Sequence, residues 1–94
     1  MYIQFNILFI FMVGGLKMII ELNNCDEWAE HRLRCLAVHD RSICFTGRTG
    51  YKWCRIELLK EDNFELHNGN LIIKLCDGFK TTLNLHHCDE ITIL

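Results

Sequence analysis

The chain has 94 residues, 10 Lys and Arg against 12 Asp and Glu, six cysteines, no proline and a formal net charge of -2. A chain this short holds one domain with a modest core, which leaves little room for a large enzyme with a deep pocket. The near-neutral charge gives no global pull toward nucleic acid or an anionic membrane, so binding of either kind needs a local patch.

Residues 1–17 carry one charge, Lys17, and differ in character from the densely charged remainder. Three readings fit this apolar extension. Gly14-Gly15 ahead of Met18 is what a purine-rich ribosome-binding site yields when read in frame, which would make 18–94 the translated domain. A weak membrane anchor is the second reading, although the run from Ile7 to Leu16 is shorter than the roughly 20 apolar residues a spanning helix needs. An N-terminal strand or helix of the fold is the third. A secretory signal is disfavoured, because no positive charge precedes the apolar run and no small-residue cleavage site follows it.

From Met18 the elements follow in order. Met18 to Leu22 is a short apolar run with β-branched residues and predicts a strand, broken by Asn23-Asn24. A helix is expected over about residues 25–37, with Asn24 as cap, Glu27 as its capping-box partner, and Cys25, Ala29, Leu33 and Leu36 on one face. Glu30 and Arg34 form a favourable i,i+4 pair on the other face. A strand with Ala29, His31, Leu33, Cys35 and Ala37 on one side is the competing reading.

After Arg41 the pattern is that of antiparallel hairpins. Ile43 to Thr46 and Tyr51 to Leu59 flank Gly47-Arg48-Thr49-Gly50, Phe64 to His67 and Asn70 to Cys76 flank Asn68-Gly69, and Asp77-Gly78 turns the chain into Phe79 to His86. A break at 87–90 delivers the last strand, Ile91 to Leu94. Alternation places Cys54, Ile56 and Leu58, then Leu71, Ile73 and Leu75, and then Phe79, Thr81, Leu83 and Leu85 inward. Together these elements define an α+β domain over 18–94: one N-terminal strand and one helix packed on an antiparallel meander of about five strands, with a small, partly open barrel as the curled form of the same arrangement.

The residues that carry candidate chemistry are few. Between Arg41 and Ile56 there are basic residues and no acidic one, and aromatics are interleaved with them, so Arg41, Arg48, Tyr51, Lys52, Trp53 and Arg55 form the expected binding set. Trp, Tyr and Arg are the usual hot-spot residues of protein interfaces. The same mixture suits single-stranded nucleic acid, whose bases stack on rings while cations follow phosphates. A protein partner is the expectation, with nucleic acid as the alternative and a homodimer through the 51–59 strand open if that strand lies at a sheet edge.

No Cys-x-x-Cys knuckle occurs, so the six cysteines are expected as reduced thiols in a cytoplasm, several of them acting as small buried hydrophobes. His86, His87 and Cys88 are weak candidates for a zinc-stabilised module, with Cys25, His31 and Cys35 as a second half, but adjacent histidines on a strand point to opposite faces. His39-Asp40 beside Ser42 and Cys44 contains suitable catalytic types without the geometry that would make them a site. Gly47-Arg48-Thr49-Gly50 has the form of a nucleotide-backbone clamp, yet its flanks are strands where such a clamp joins helices, so it is read as hairpin chemistry. No cofactor motif is present and no enzymatic activity is expected. Alanine is scarce and Ile, Leu, Asn and Lys are plentiful, a usage that fits an accessory protein of an AT-rich bacterium, phage or other mobile element.

Overall fold

The computed structural model describes residues 2–5, 18–48 and 51–94. The expectations for the apolar extension bear mainly on residues 6–17, which lie outside the described residues, as do Thr49 and Gly50. In chain order the elements are β1 (Tyr2–Phe5), β2 (Met18–Cys25), α1 (Glu27–Leu33), α2 (Cys35–Val38), β3 (Ser42–Arg48), β4 (Tyr51–Leu58), β5 (Asn63–His67), β6 (Asn70–Lys74), β7 (Lys80–Asn84) and β8 (Glu90–Ile93). The α+β class follows directly. The strands form two open sheets, one of order β1-β8-β2-β4-β3 and one of order β5-β6-β7. Among the described residues no helix is long and apolar enough to cross a membrane.

The single meander of the sequence reading is thus divided at residues 59–62, and β8 returns from the second sheet to pair with β2 in the first. β1 adds to the far side of β8 in parallel, Ile3 opposite Ile91 and Phe5 opposite Ile93. β4 has β2 on one side and β3 on the other, so the open edge considered for residues 51–59 does not exist.

Both sheets and the helix bury their apolar faces in one core. Ile20, Leu22 and Cys25 of β2, Cys54, Ile56 and Leu58 of β4, Leu71 and Ile73 of β6, Leu83 of β7, and Ile91 and Ile93 of β8 meet Ala29, Leu33 and Leu36 there. The alternation inferred from sequence therefore has the right phase in every central strand, with Thr81 buried beside Leu83 and Phe79 only half-buried.

The helix is where local detail differs. Asp26, not Asn24, is the N-cap: its Oδ1 accepts a hydrogen bond from the Ala29 N–H at 2.8 Å. Asn24 instead takes a left-handed backbone, φ 52°, which shifts the register between β2 and β4 and lets its side chain donate to Asp89 at 2.8 Å. The chain stays helical through Arg34, φ -61° and ψ -22°, so α1 and α2 are one helical stretch with a local break in bonding. Arg34 reaches Glu30 at 2.7 Å as the i,i+4 spacing requires.

The hairpins follow turn chemistry. Asn68 and Gly69 have φ of 50° and 74°, the two positive values of a type I′ turn, and join β5 to β6 with His67 opposite Asn70. The strand expected to run to His86 stops at Asn84. There the Asn84 side chain accepts from the His86 N–H at 2.9 Å and turns Leu85–His87 into a single 3₁₀ turn.

One buried ion pair fixes where the two sheets separate. Asp62, in the connection just before β5, accepts from Arg41 Nε at 2.6 Å and Nη2 at 2.8 Å, from the Leu59 N–H at 2.8 Å and from the Cys76 N–H at 2.9 Å. Arg41 also donates to the His39 carbonyl at 2.7 Å. The guanidinium holds the Asp62 carboxyl far below the usual carboxylate range, against the opposing effect of burial.

Asp62→Asn keeps the shape and leaves Arg41 buried without its counter-charge. It is expected to lower the unfolding free energy by about 3–5 kcal/mol in urea titration, and a loss under about 1 kcal/mol would show that the pair is dispensable. The pH dependence has a defined sign. Because the folded pKa lies below the unfolded value near ~3.9, the stabilisation is full above that value and drains as pH falls toward the folded pKa. The acid limb of stability should accordingly be shallower in Asp62→Asn than in the parent protein.

Candidate interaction surfaces

The outer face of the five-stranded sheet, opposite the helix, carries the part of the expected binding set that stays together. Trp53 lies opposite Thr46, and Arg55 lies between Cys44 of β3 and Glu21 of β2. Trp53 and Arg55 are half-buried and point away from Cys54 and Ile56, which are in the core. Arg55 Nη2 stands 3.7 Å from Glu57 Oε1, and its Nε is buried with no hydrogen-bond partner.

The other basic members are elsewhere. Arg41 is buried on Asp62 and does not belong to this face. Lys52 turns to the helix side, where its Nζ contacts both Glu30 oxygens, at 2.7 and 3.1 Å. Lys52 and then Arg34 pull the Glu30 carboxyl below its ordinary value. Arg48 and Tyr51 are opposite one another in the hairpin, and their side chains lie outside the described residues. Arg41 and Lys52 thus leave the face that carries Trp53 and Arg55, and the basic residues read along 41–55 do not form one continuous surface.

His86, His87 and Cys88 diverge. Cys88 is buried and donates to the Leu85 carbonyl at 3.7 Å, while His86 is exposed. His87 Nδ1 meets Asp26 Oδ2 at 2.6 Å, and its ring stacks on Trp28 with centroids 4.1 Å apart. Among the described residues no three His, Cys, Asp or Glu side chains converge as metal ligands. Inside the core the neighbouring Cys88 thiol, together with burial, pushes the Cys25 thiol up. Burial likewise pushes the Cys54 thiol up to about 12, so both remain protonated and act as apolar packing groups.

Two features of this surface have little signal in the sequence. Trp28, 47% exposed, is the largest exposed ring, and Arg32 lies over it at 5.6 Å. Between α1 and β7 runs a groove of about 470 Å³, lined by His31, Arg32, Cys35 and residues 79–82. His39 pairs with Asp77 at 2.7 Å and stacks on Phe79 at 4.0 Å, which sets one end of the β6–β7 turn. The Phe79 N–H and then His39 hold the Asp77 carboxyl below its ordinary value. The His39–Asp77 contact braces the β6–β7 turn, and the His87–Asp26 contact ties the 3₁₀ turn to the helix start.

No family model, curated protein or solved structure matches the chain.

Asp26 ties the helix start to the 3₁₀ turn, since one oxygen caps α1 and the other binds His87. Asp26→Ala is expected to cost about 1 kcal/mol through the lost cap, read as a lower urea midpoint. It should also loosen the Trp28–His87 stack, visible as a change in Trp28 fluorescence in a Trp53→Phe background. An unchanged midpoint and unchanged emission would mean that this link is unimportant.

Proposed function

We propose that the chain is a non-enzymatic binding domain that docks a protein partner on the outer sheet face around Trp53 and Arg55. The observation that carries this reading is the pairing of a large half-buried ring with an arginine on a face turned away from the core. Such residues supply most of the free energy at protein interfaces when they become fully desolvated.

The electrostatics favour a protein over a nucleic acid. Arg41 and Lys52 are neutralised by Asp62 and Glu30, and Glu21 and Glu57 stand beside Arg55, so phosphate-following cations are scarce on this face. Six unpaired cysteines support a reducing, cytoplasmic setting, and the composition supports an accessory role in a bacterium or mobile element.

The test is affinity capture with the full chain from nuclease-treated and untreated bacterial lysates, with Trp53→Ala as the comparison. A partner protein is expected to be retained after nuclease treatment and to bind Trp53→Ala about 30-fold more weakly, the loss of a hot spot worth about 2 kcal/mol. Retention that disappears with nuclease would instead support nucleic-acid binding. Equal retention by both proteins would remove this face from consideration.

A further inference from the structure

The groove between α1 and β7 is separate from the Trp53 face and has its own chemistry. β7 is an edge strand, paired with β6 on one side only. Leu75 donates to Phe79 and Leu85 to Gly69, which sets the hydrogen-bonded pairs of this ladder at the odd positions of β7. In an antiparallel ladder the alternate residues then direct their N–H and C=O groups away from the partner strand. Those residues are Lys80, Thr82 and Asn84, and the direction is confirmed by Arg32, whose Nε donates to the Thr82 carbonyl at 3.1 Å.

The unpaired backbone edge therefore opens into a groove whose walls supply Arg32, Lys80 and His31 and no carboxylate. Neither Arg32 nor Lys80 has an ion-pair partner among the described residues, although Glu30 takes up Arg34 and Lys52 a turn away. Arg32 is placed by Thr82 on one side and the Trp28 ring on the other.

We infer that this groove binds an acidic, extended peptide segment of a partner protein, which adds a strand to the β7 edge. An incoming amide N–H replaces Arg32 on the Thr82 carbonyl, so that acceptor stays satisfied. The released guanidinium pairs with an Asp or Glu of the peptide, and Lys80 takes a second acidic position. Main-chain bonds supply affinity in this mode of recognition, and alternate side chains supply specificity.

The competing reading is that Arg32 only blunts the edge against self-association. A random decapeptide phage library selected on the immobilised full-length chain decides between them, followed by NMR titration with the selected peptide made synthetically. Selected peptides are expected to be rich in Asp and Glu and to shift the Lys80 and Thr82 amides most. Arg32→Glu and Lys80→Glu should each weaken binding about tenfold or more, the scale of one charge-assisted contact. Trp53→Ala should leave it unchanged. Failure to enrich any peptide, enrichment of neutral or basic ones, shifts centred elsewhere, or indifference to both charge reversals would overturn the proposal. Displacement of the acidic peptide by oligothymidylate, or dimers joined through β7 in sedimentation, would overturn it in favour of nucleic acid or a second copy.

Discussion

The Arg41–Asp62 pair is the contact on which the arrangement of the two sheets depends. Four donors from three places in the chain converge on one carboxylate: the Arg41 guanidinium after the helix, the Leu59 amide at the end of β4, and the Cys76 amide after β6. Removing a carboxylate and a guanidinium from water is costly, and the cost is offset only when nearly every lone pair and proton finds a partner. Asp62 meets that condition. Its position just before β5 means that satisfying it brings the end of β4, the end of the helix and the β6–β7 turn to one point. A pair of this kind contributes little net stability compared with an apolar replacement, whereas removing one partner alone leaves an uncompensated buried charge and is strongly destabilising.

The same pair changes the functional reading of the sequence. A run of cations with no intervening acid looks like a positive patch only while the chain is considered in one dimension. In the fold, Arg41 and Lys52 are each paired with an acid far away in sequence, Asp62 and Glu30, and leave the surface of the 41–55 hairpin. Trp53 and Arg55 remain on the outer face with Glu21 and Glu57 near them, a mixed polar and aromatic surface of the sort that protein partners cover. Among the described residues, Arg32 and Lys80 bring positive charge without an ion-pair partner to the α1–β7 side, from positions that sequence order separates by most of the domain.

How much was legible follows from the range of the interactions involved. Alternation sets the core faces of β4, β6 and β7 because a strand's two faces are decided by nearest neighbours, and Asn68-Gly69 sets its hairpin because two positive φ values are a local property. The core positions of the helix, Ala29, Leu33 and Leu36, were legible for the same reason. The split into two sheets was not, because it rests on a pairing between positions 41 and 62 and on β8 crossing back to β2. Capping by Asp26 in place of Asn24 lies between these cases. Both residues are good caps, and the choice is made by His87, which binds the second Asp26 oxygen, and by Asp89, which holds Asn24 outside the helix.

Open sheets carry a consequence that a closed barrel avoids: each ends in strands with unpaired backbone groups. Here the ends are β1 and β3 of one sheet and β5 and β7 of the other. On β5 the side chains of Glu65 and His67 are exposed, and charge along an edge disfavours apolar self-pairing. At β7 the protection comes from outside the strand, by an arginine on a helix that occupies one carbonyl. Protection of that kind is reversible in a way that a charged or bulged edge is not, because the blocking donor can be exchanged for another without loss of a hydrogen bond. A cation in that role also sets which strand makes the exchange favourable, since only a partner with negative charge compensates the guanidinium that it displaces. Edge protection and partner selection are then two results of placing one positive side chain against one open carbonyl.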